Sequence, residues 1–228
     1  MNFNVNYFLS VFPQILPYLP VTLFIAVVSI LFAMVLGLTI ALLRNNKIII
    51  VDAIFSLFIS LFRGIPSVVL LFIIYYGLPQ IFPVLKHMGA TTAAIVCFSL
   101  KYSAYLAEIF RAGLASVDPG QKEAGLTSGL STIQVYRNII LPQALVNALP
   151  NTGNMFISLL KDSSVAFFVG VQELLAAGKM LTASSFLYFE TYLAVGIVYW
   201  LTVVAYSWLQ KQLERKLSKP YYREGASS

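Results

Sequence analysis

The chain carries no charged residue before Arg44, and positions 21–43 are apolar almost throughout. The hydrocarbon core of a bilayer is about 30 Å thick, so a spanning helix needs about 20 mostly apolar residues. Read by apolar length and breaks, the pattern predicts spans at 21–43, 48–77, 91–114, 143–163 and 186–210. It specifies an all-α membrane protein, one domain over residues 1–228 with about five transmembrane helices.

Two stretches depart from that simple pattern. Positions 48–77 would make a straight rod of about 45 Å, and Arg63-Gly64-Ile65-Pro66 interrupts it, so a tilted or broken helix is expected there. The first twenty residues contain no Lys or Arg but do contain Pro13, Pro17 and Pro20, which is unlike a signal peptide and reads as a retained surface segment. After Gln210 the last helix turns charged, and residues 220–228 are expected to be disordered and cytoplasmic.

Composition agrees: 59% of the 228 residues are hydrophobic and 11% charged, a surface that needs lipid as its solvent. The net charge of +6 does not point to nucleic acid, because the basic residues sit in short segments between spans. With the N-terminus outside, the inner segments hold Arg44, Lys47, Arg111, Lys122, Arg137, Lys211, Arg215, Lys216, Lys219 and Arg223, against Lys86 and Lys179 outside. That asymmetry sets a cytoplasmic C-terminus. The single cysteine, Cys97, and the single histidine, His87, offer neither a disulfide nor a metal site, so no metal is assigned. Trp200 and Trp208, with Tyr192, Tyr199 and Tyr206, read as lipid-interface anchors without chemistry.

The loop at 115–142 is longer and more polar than a helical hairpin requires. It offers a turn at Asp118-Pro119-Gly120, then a short amphipathic helix ending near Gly129, and Ile139-Ile140-Leu141-Pro142 leads into the fourth span. Glu123-Ala124, Gly129, Ile139 and Leu141-Pro142 stand at the spacing of the EAA loop, so the chain resembles the ABC importer permeases. Gly125 departs from that pattern, alanine being usual there. Phe62-Arg63-Gly64-Ile65-Pro66, Tyr75-Tyr76-Gly77-Leu78-Pro79, Ala107-Glu108-Ile109-Phe110-Arg111 and Leu160-Lys161-Asp162-Ser163-Ser164 extend the likeness to the polar amino acid family. Ile65 and Ser163 replace expected threonines, and the overall wording is similar to the cystine-type branch.

The resemblance implies the type I importer permease fold, with the loop as a cytoplasmic coupling helix resting on a separate ATPase subunit. Glu123, Ala124, Gly125, Gly129, Leu141 and Pro142 are its expected docking residues. It implies two ATP-binding subunits, a second permease copy or similar chain, and an extracytoplasmic solute-binding protein in a prokaryotic plasma (inner) membrane. The chain has no G-x-x-x-x-G-K-[ST] run, so ATP and Mg are expected on the partner, with no cofactor and no catalytic residue here. Physically, a short rigid helix transmits rigid-body motion, Glu123 offers a directional polar contact, and Gly129 permits close backbone approach.

Polar residues inside the spans are the candidates for a solute path. Asn147, Asn151, Asn154 and Ser158 recur at helical spacing, followed by Lys161 and Asp162. Asn147 reads as interhelical glue, whereas Asn151, Asn154, Ser158, Lys161 and Asp162 suit a zwitterionic amino acid. In the third span Lys101, Tyr105 and Glu108 share a face; Glu108 with Arg111 reads as an ion pair. Lys101 must face a solute carboxylate or a protein Glu or Asp. At the break, Arg63 either helps present backbone groups to solute or snorkels inward from a kink.

Two other classes compete. A self-sufficient ion-coupled carrier should show inverted repeats and a buried acidic relay, and neither is visible. A membrane enzyme needs a His, Cys or paired-carboxylate constellation that this composition does not supply.

Overall fold

The structure, a computed structural model, describes residues 3–45 and 48–222. Lys47, Arg223 and the tail 223–228 named above lie outside the described residues. The order is α1 Val5–Ile15, α2 Leu19–Asn45, α3 Ile49–Gly64, α4 Ser67–Phe72, α5 Leu78–Ile81, α6 Ala90–Ala115, α7 Pro119–Thr127, α8 Thr132–Val135, α9 Leu141–Asp162, α10 Leu174–Ser185 and α11 Tyr188–Tyr222.

Three continuous runs are long and apolar enough to cross a membrane: Val5–Asn45, Ala90–Ala115 and Tyr188–Leu217. Two bent pairs bring the number to five, Ile49–Gly64 with Ser67–Ile81 at 108° and Thr132–Val169 with Leu174–Ser185 at 52°. The first bend falls at Ile65-Pro66, where proline forces its predecessor into extended backbone (φ −92°, ψ 134°) and α3 ends. Outward-facing Leu57, Val35 and Trp200 are 69%, 67% and 63% exposed. Such an apolar outer surface is stable against acyl chains and not against water.

The centre is α2 against α6 and α9, and small residues let the backbones approach. A Cβ added at Gly37 would lie 2.8 Å from Leu106 Cβ and 3.1 Å from both Ala107 N and Ser103 O. One added at Gly113 would lie 2.7 Å from the Ala144 carbonyl oxygen. Leu71, Phe98, Leu106, Leu159 and Leu160 fill the core around these crossings.

The N-terminal segment lies at the surface as an amphipathic helix seated by two side chains. Asn4 caps α1 by accepting the Tyr7 N–H at 3.0 Å, and Val11 and Ile15 are fully buried against Leu174, Val195 and Val198. Pro13 lies inside α1, three residues before the short 3-10 turn Leu16–Tyr18 that joins α1 to α2, and Pro17 lies within the first turn of that 3-10 helix, where a missing N–H costs little. Helix α10, twelve residues long, capped by Glu173 and carrying Lys179, is too short to read as a span and packs beside α1 and α11. The last helix runs to Tyr222, three residues into the segment 220–228 expected to be disordered.

Candidate functional site: a coupling loop linked to a polar cluster in the membrane

Helix α7 is built by its ends. Asp118 caps it, its Oδ1 accepting the Gly120 N–H at 2.8 Å, and Pro119 occupies the first turn, where a missing N–H costs nothing. At the other end Leu130 N–H donates to Gly125 O at 3.2 Å and Gly129 N–H to Leu126 O at 3.1 Å. This double closure places Gly129 at φ +84°. Nothing lies within 4 Å of a Cβ added at Gly129, so the chain needs glycine there for its dihedral angle and not for close approach. The close approach is at Gly125, which is buried: a Cβ there would meet Val135 Cγ2 at 2.8 Å and Ile139 Cδ1 at 3.0 Å. Glu123, Ala124 and Leu126 are exposed.

The fourth span does not restart at Leu141 and Pro142. Ser131 and Gln134 close a reciprocal capping box at 2.8 and 3.4 Å, and α8 runs through a π turn, Tyr136–Ile140, into α9. The widened turn, in which Leu141 N–H donates to Tyr136 O, accommodates Pro142 without a break. From Thr132 to Asp162 the rod is about 45 Å long at 1.5 Å per residue. The surface that seats Gly125 and the carboxylate of Asp162 therefore belong to one continuous helical run, which carries the π turn and an interior proline, Pro150, between them.

Asp162 stands where three helices converge. Its Oδ2 accepts from Ser67 Oγ, the first residue of α4, at 2.7 Å and from Tyr102 Oη of α6 at 3.1 Å. Lys101 is buried and its Nζ donates to Ile65 O at 3.2 Å, a carbonyl beside the proline break. The ammonium thus rests on backbone in this conformation, a partner that charge pairing from sequence did not consider. The Arg63 guanidinium lies 5.2 Å from the Tyr105 ring centroid, and Tyr105 is 5.9 Å from Tyr102. Arg63, Lys101, Tyr105 and Asp162 are thereby gathered around the break.

The remaining candidates are spread along the rod. Lys161 is exposed, turned about 100° from Asp162 as consecutive helical residues must be. Ser158, Asn154 and Asn151 follow Asp162 at about 6, 12 and 16 Å toward the α7 end of the rod; Asn151 and Asn154 are exposed. Asn151 lines a separate cavity of about 350 Å³ with Gly113, Ser116 and Asn147 between α6 and α9. There Asn147 Nδ2 donates to Ser116 Oγ at 2.8 Å, tying α9 to the end of α6 as interhelical glue.

Residues 33–219 match the family described as binding-protein-dependent transport system inner membrane component. The chain belongs to this family. The probable amino-acid permease protein YxeN of Bacillus subtilis is 54% identical over 95% of this chain and 96% of its own length. The L-cystine transport system permease protein TcyL of the same organism is 43% identical over 95% and 92%. A crystal structure described as an amino acid ABC transporter with histidines superposes with TM-score 0.84 at 32% identity, over 95% of this chain and 100% of that one. The MetNI methionine ABC transporter shares the fold, with TM-score 0.72 at 21% identity over 90% and 96%.

Two side-chain networks of this permease reach beyond the pairs that helical spacing predicts. Glu173, fully buried, accepts from Ala176 N–H at 2.8 Å, Tyr199 Oη at 2.9 Å and Thr22 Oγ1 at 3.4 Å. Tyr199 is therefore a strut between α10 and α11 and not an interface anchor, while Trp200 and Trp208 do face outward. Near the C-terminal end of α2, Glu108 pairs with Arg111 at 2.8 Å and also with Arg44, which reaches Asp52 at 2.8 Å and Ser56 at 3.1 Å. Arg44 thus fastens α2, α3 and α6 together. The Glu108–Arg111 pair is the one that helical spacing predicts; its extension to Arg44, Asp52 and Ser56, and the whole Glu173 network, had no sequence signal beyond an arginine or glutamate adjoining an apolar run.

Proposed function

We propose that the chain is the permease subunit of an ATP-driven ABC importer for a polar amino acid, with cystine in the expected class. The observation that carries this reading is the single rod that seats α7 at one end and places Asp162 in the polar cluster at the other. Two partner ATP-binding subunits hold ATP and Mg and dock on α7 through the exposed Glu123 and Ala124, while Gly125, buried against Val135 and Ile139, seats α7 on the rod, Gly129 closes it, and Leu141 and Pro142 stand at the root of the loop. Their closure tilts the rod, and the tilt alters the packing of Asp162 against Ser67 and Tyr102.

Around the break, Lys101 and Arg63 supply cationic groups for a solute carboxylate, and Asp162 supplies an acceptor for its ammonium. Asn151, Asn154 and Ser158, aided by Lys161, line the way to the cytoplasm beside a second permease copy. An extracytoplasmic solute-binding protein delivers solute from outside. The N-terminus faces outward and the C-terminus the cytoplasm of a prokaryotic plasma membrane, as the basic residues direct.

The chain is reconstituted with its ATPase and binding protein, and uptake of labelled cystine is challenged with other amino acids. Uptake that needs ATP and is competed by polar amino acids is expected. Uptake that persists without the ATPase, or an α7 reachable only by outside reagents, would sink the proposal.

A further inference from the structure

Two cavities adjoin at the inner end of α2 and α9. The first, of about 500 Å³, is lined by Leu42, Asn45, Lys122, Tyr136, Arg137 and Leu141 among others. The second, of about 570 Å³, is an almost wholly apolar groove with Leu38 on one wall and Leu145 and Leu149 on the other, and Lys216 at its rim. Leu38 and Leu42 lie one turn apart on α2, as do Leu141 and Leu145 on α9, so the walls of the first cavity run on into the second. The result is a cleft with a basic mouth and an apolar shaft.

The chemistry of the mouth is specific. Among the described residues neither cavity is lined by a carboxylate. Asp118 lines an adjoining space of about 110 Å³, and its Oδ1 accepts the Gly120 N–H at 2.8 Å. Lys122 Nζ lies 5.8 Å from the Tyr136 ring centroid, and the Tyr136 hydroxyl accepts from Asn45 Nδ2 at 2.9 Å, so its proton remains available to an anion. Thr132 adds a second hydroxyl. Ile133, on the same rim, is 78% exposed. An exposed isoleucine beside two cations suits the boundary between headgroups and acyl chains.

We propose that this cleft binds one anionic phospholipid of the cytoplasmic leaflet. Its phosphate lies between Lys122 and Arg137 with the Tyr136 hydroxyl donating to it, and an acyl chain runs along Leu38, Leu42, Leu141 and Leu145. A basic pocket between helices at the cytoplasmic surface is the arrangement that selects anionic headgroups. The apolar shaft decides for a lipid over free phosphate, which would leave it unfilled. Because Lys122 belongs to α7 and Leu141 to α9, the lipid bridges the coupling helix and the rod. The inference takes only the leaflet from the proposed orientation, and its test involves no transport step.

The complete complex is placed in phosphatidylcholine nanodiscs containing either photoactivatable phosphatidylglycerol or photoactivatable phosphatidylcholine. Label from phosphatidylglycerol should fall on the segments holding Leu38 and Leu145, and should exceed that from phosphatidylcholine. Each basic residue near an anionic surface is worth about fivefold, so K122Q/R137Q should lower the phosphatidylglycerol label about tenfold or more. K122R/R137K, which keeps both charges, should retain it, and Leu38→Trp should reduce acyl labelling by filling the shaft. Equal labelling by both lipids would overturn the proposal, as would label on another face or displacement by inorganic phosphate. So would crosslinks showing a second copy or the ATPase seated between Leu42 and Leu141. Should K122Q/R137Q fail to assemble, the two-lipid comparison on the native complex and the Leu38→Trp variant decide alone.

Discussion

Gly129 separates two reasons for a glycine at the end of a coupling helix. If the residue is needed for its left-handed backbone, any substitute that tolerates φ +84° should serve; if a partner lies against it, none with a Cβ should. The structure favours the first, since the space around an added Cβ is open within the subunit. An L-residue other than Gly, Asn or Asp pays about 1–2 kcal/mol in this region, which is roughly 5- to 30-fold in the local equilibrium holding the two closing hydrogen bonds. Helix α7 has nine residues, of which only Gly125 is buried, so the loss appears as local fraying and not as global unfolding. Gly129→Ala should speed amide exchange over 119–130 by about tenfold in the assembled complex and weaken solute-stimulated ATP hydrolysis. Gly129→Val should do worse, and Gly129→Asn should stay near the parent. Hydrogen exchange by mass spectrometry and ATPase stimulation read both effects. An Asn variant as damaged as the Ala variant would refute the dihedral argument and place a neighbour against this position.

Three further outcomes follow from the packing. Asp162→Asn should raise the half-saturating solute concentration about tenfold, and Tyr102→Phe less, because a hydrogen bond to a charged group is worth about 1.5–3 kcal/mol; uptake kinetics in proteoliposomes check this, and unchanged values would remove Asp162 from the path. Gly37→Val drives two methyls into Ser103 O, Ala107 N and Leu106; overpacking of about 1–3 kcal/mol or more should lower the melting midpoint of the purified subunit, and an unchanged midpoint would show that α2 and α6 can part freely. Glu173→Ala leaves the Ala176 N–H and the hydroxyls of Thr22 and Tyr199 without their acceptor, at about 1–3 kcal/mol for each buried group so left; Glu173→Gln should recover most of that stability, and equal melting of the two variants would count against the network.

Much of this protein is legible along the chain because the forces that set it are local. Apolar runs of bilayer length, the proline break at 65–66 and the charge asymmetry of the loops are properties of neighbouring residues, and each points to helices in lipid. The Glu123 to Pro142 spacing identifies a family because a capped nine-residue helix and its return turn are also built from local hydrogen bonds. What only the tertiary structure decided are the pairings across distance. Lys101 meets a carbonyl 36 positions away, Glu173 meets Thr22 across 151, and Arg44 meets Glu108 across 64. Neither the burial of α1 nor the existence of α10 follows from its own hydrophobicity, since each is held by side chains of α11. Gly125 and Gly129 look alike in sequence; packing constrains one and backbone angle the other, a distinction that needs the third dimension because a neighbour's position is no property of the residue itself.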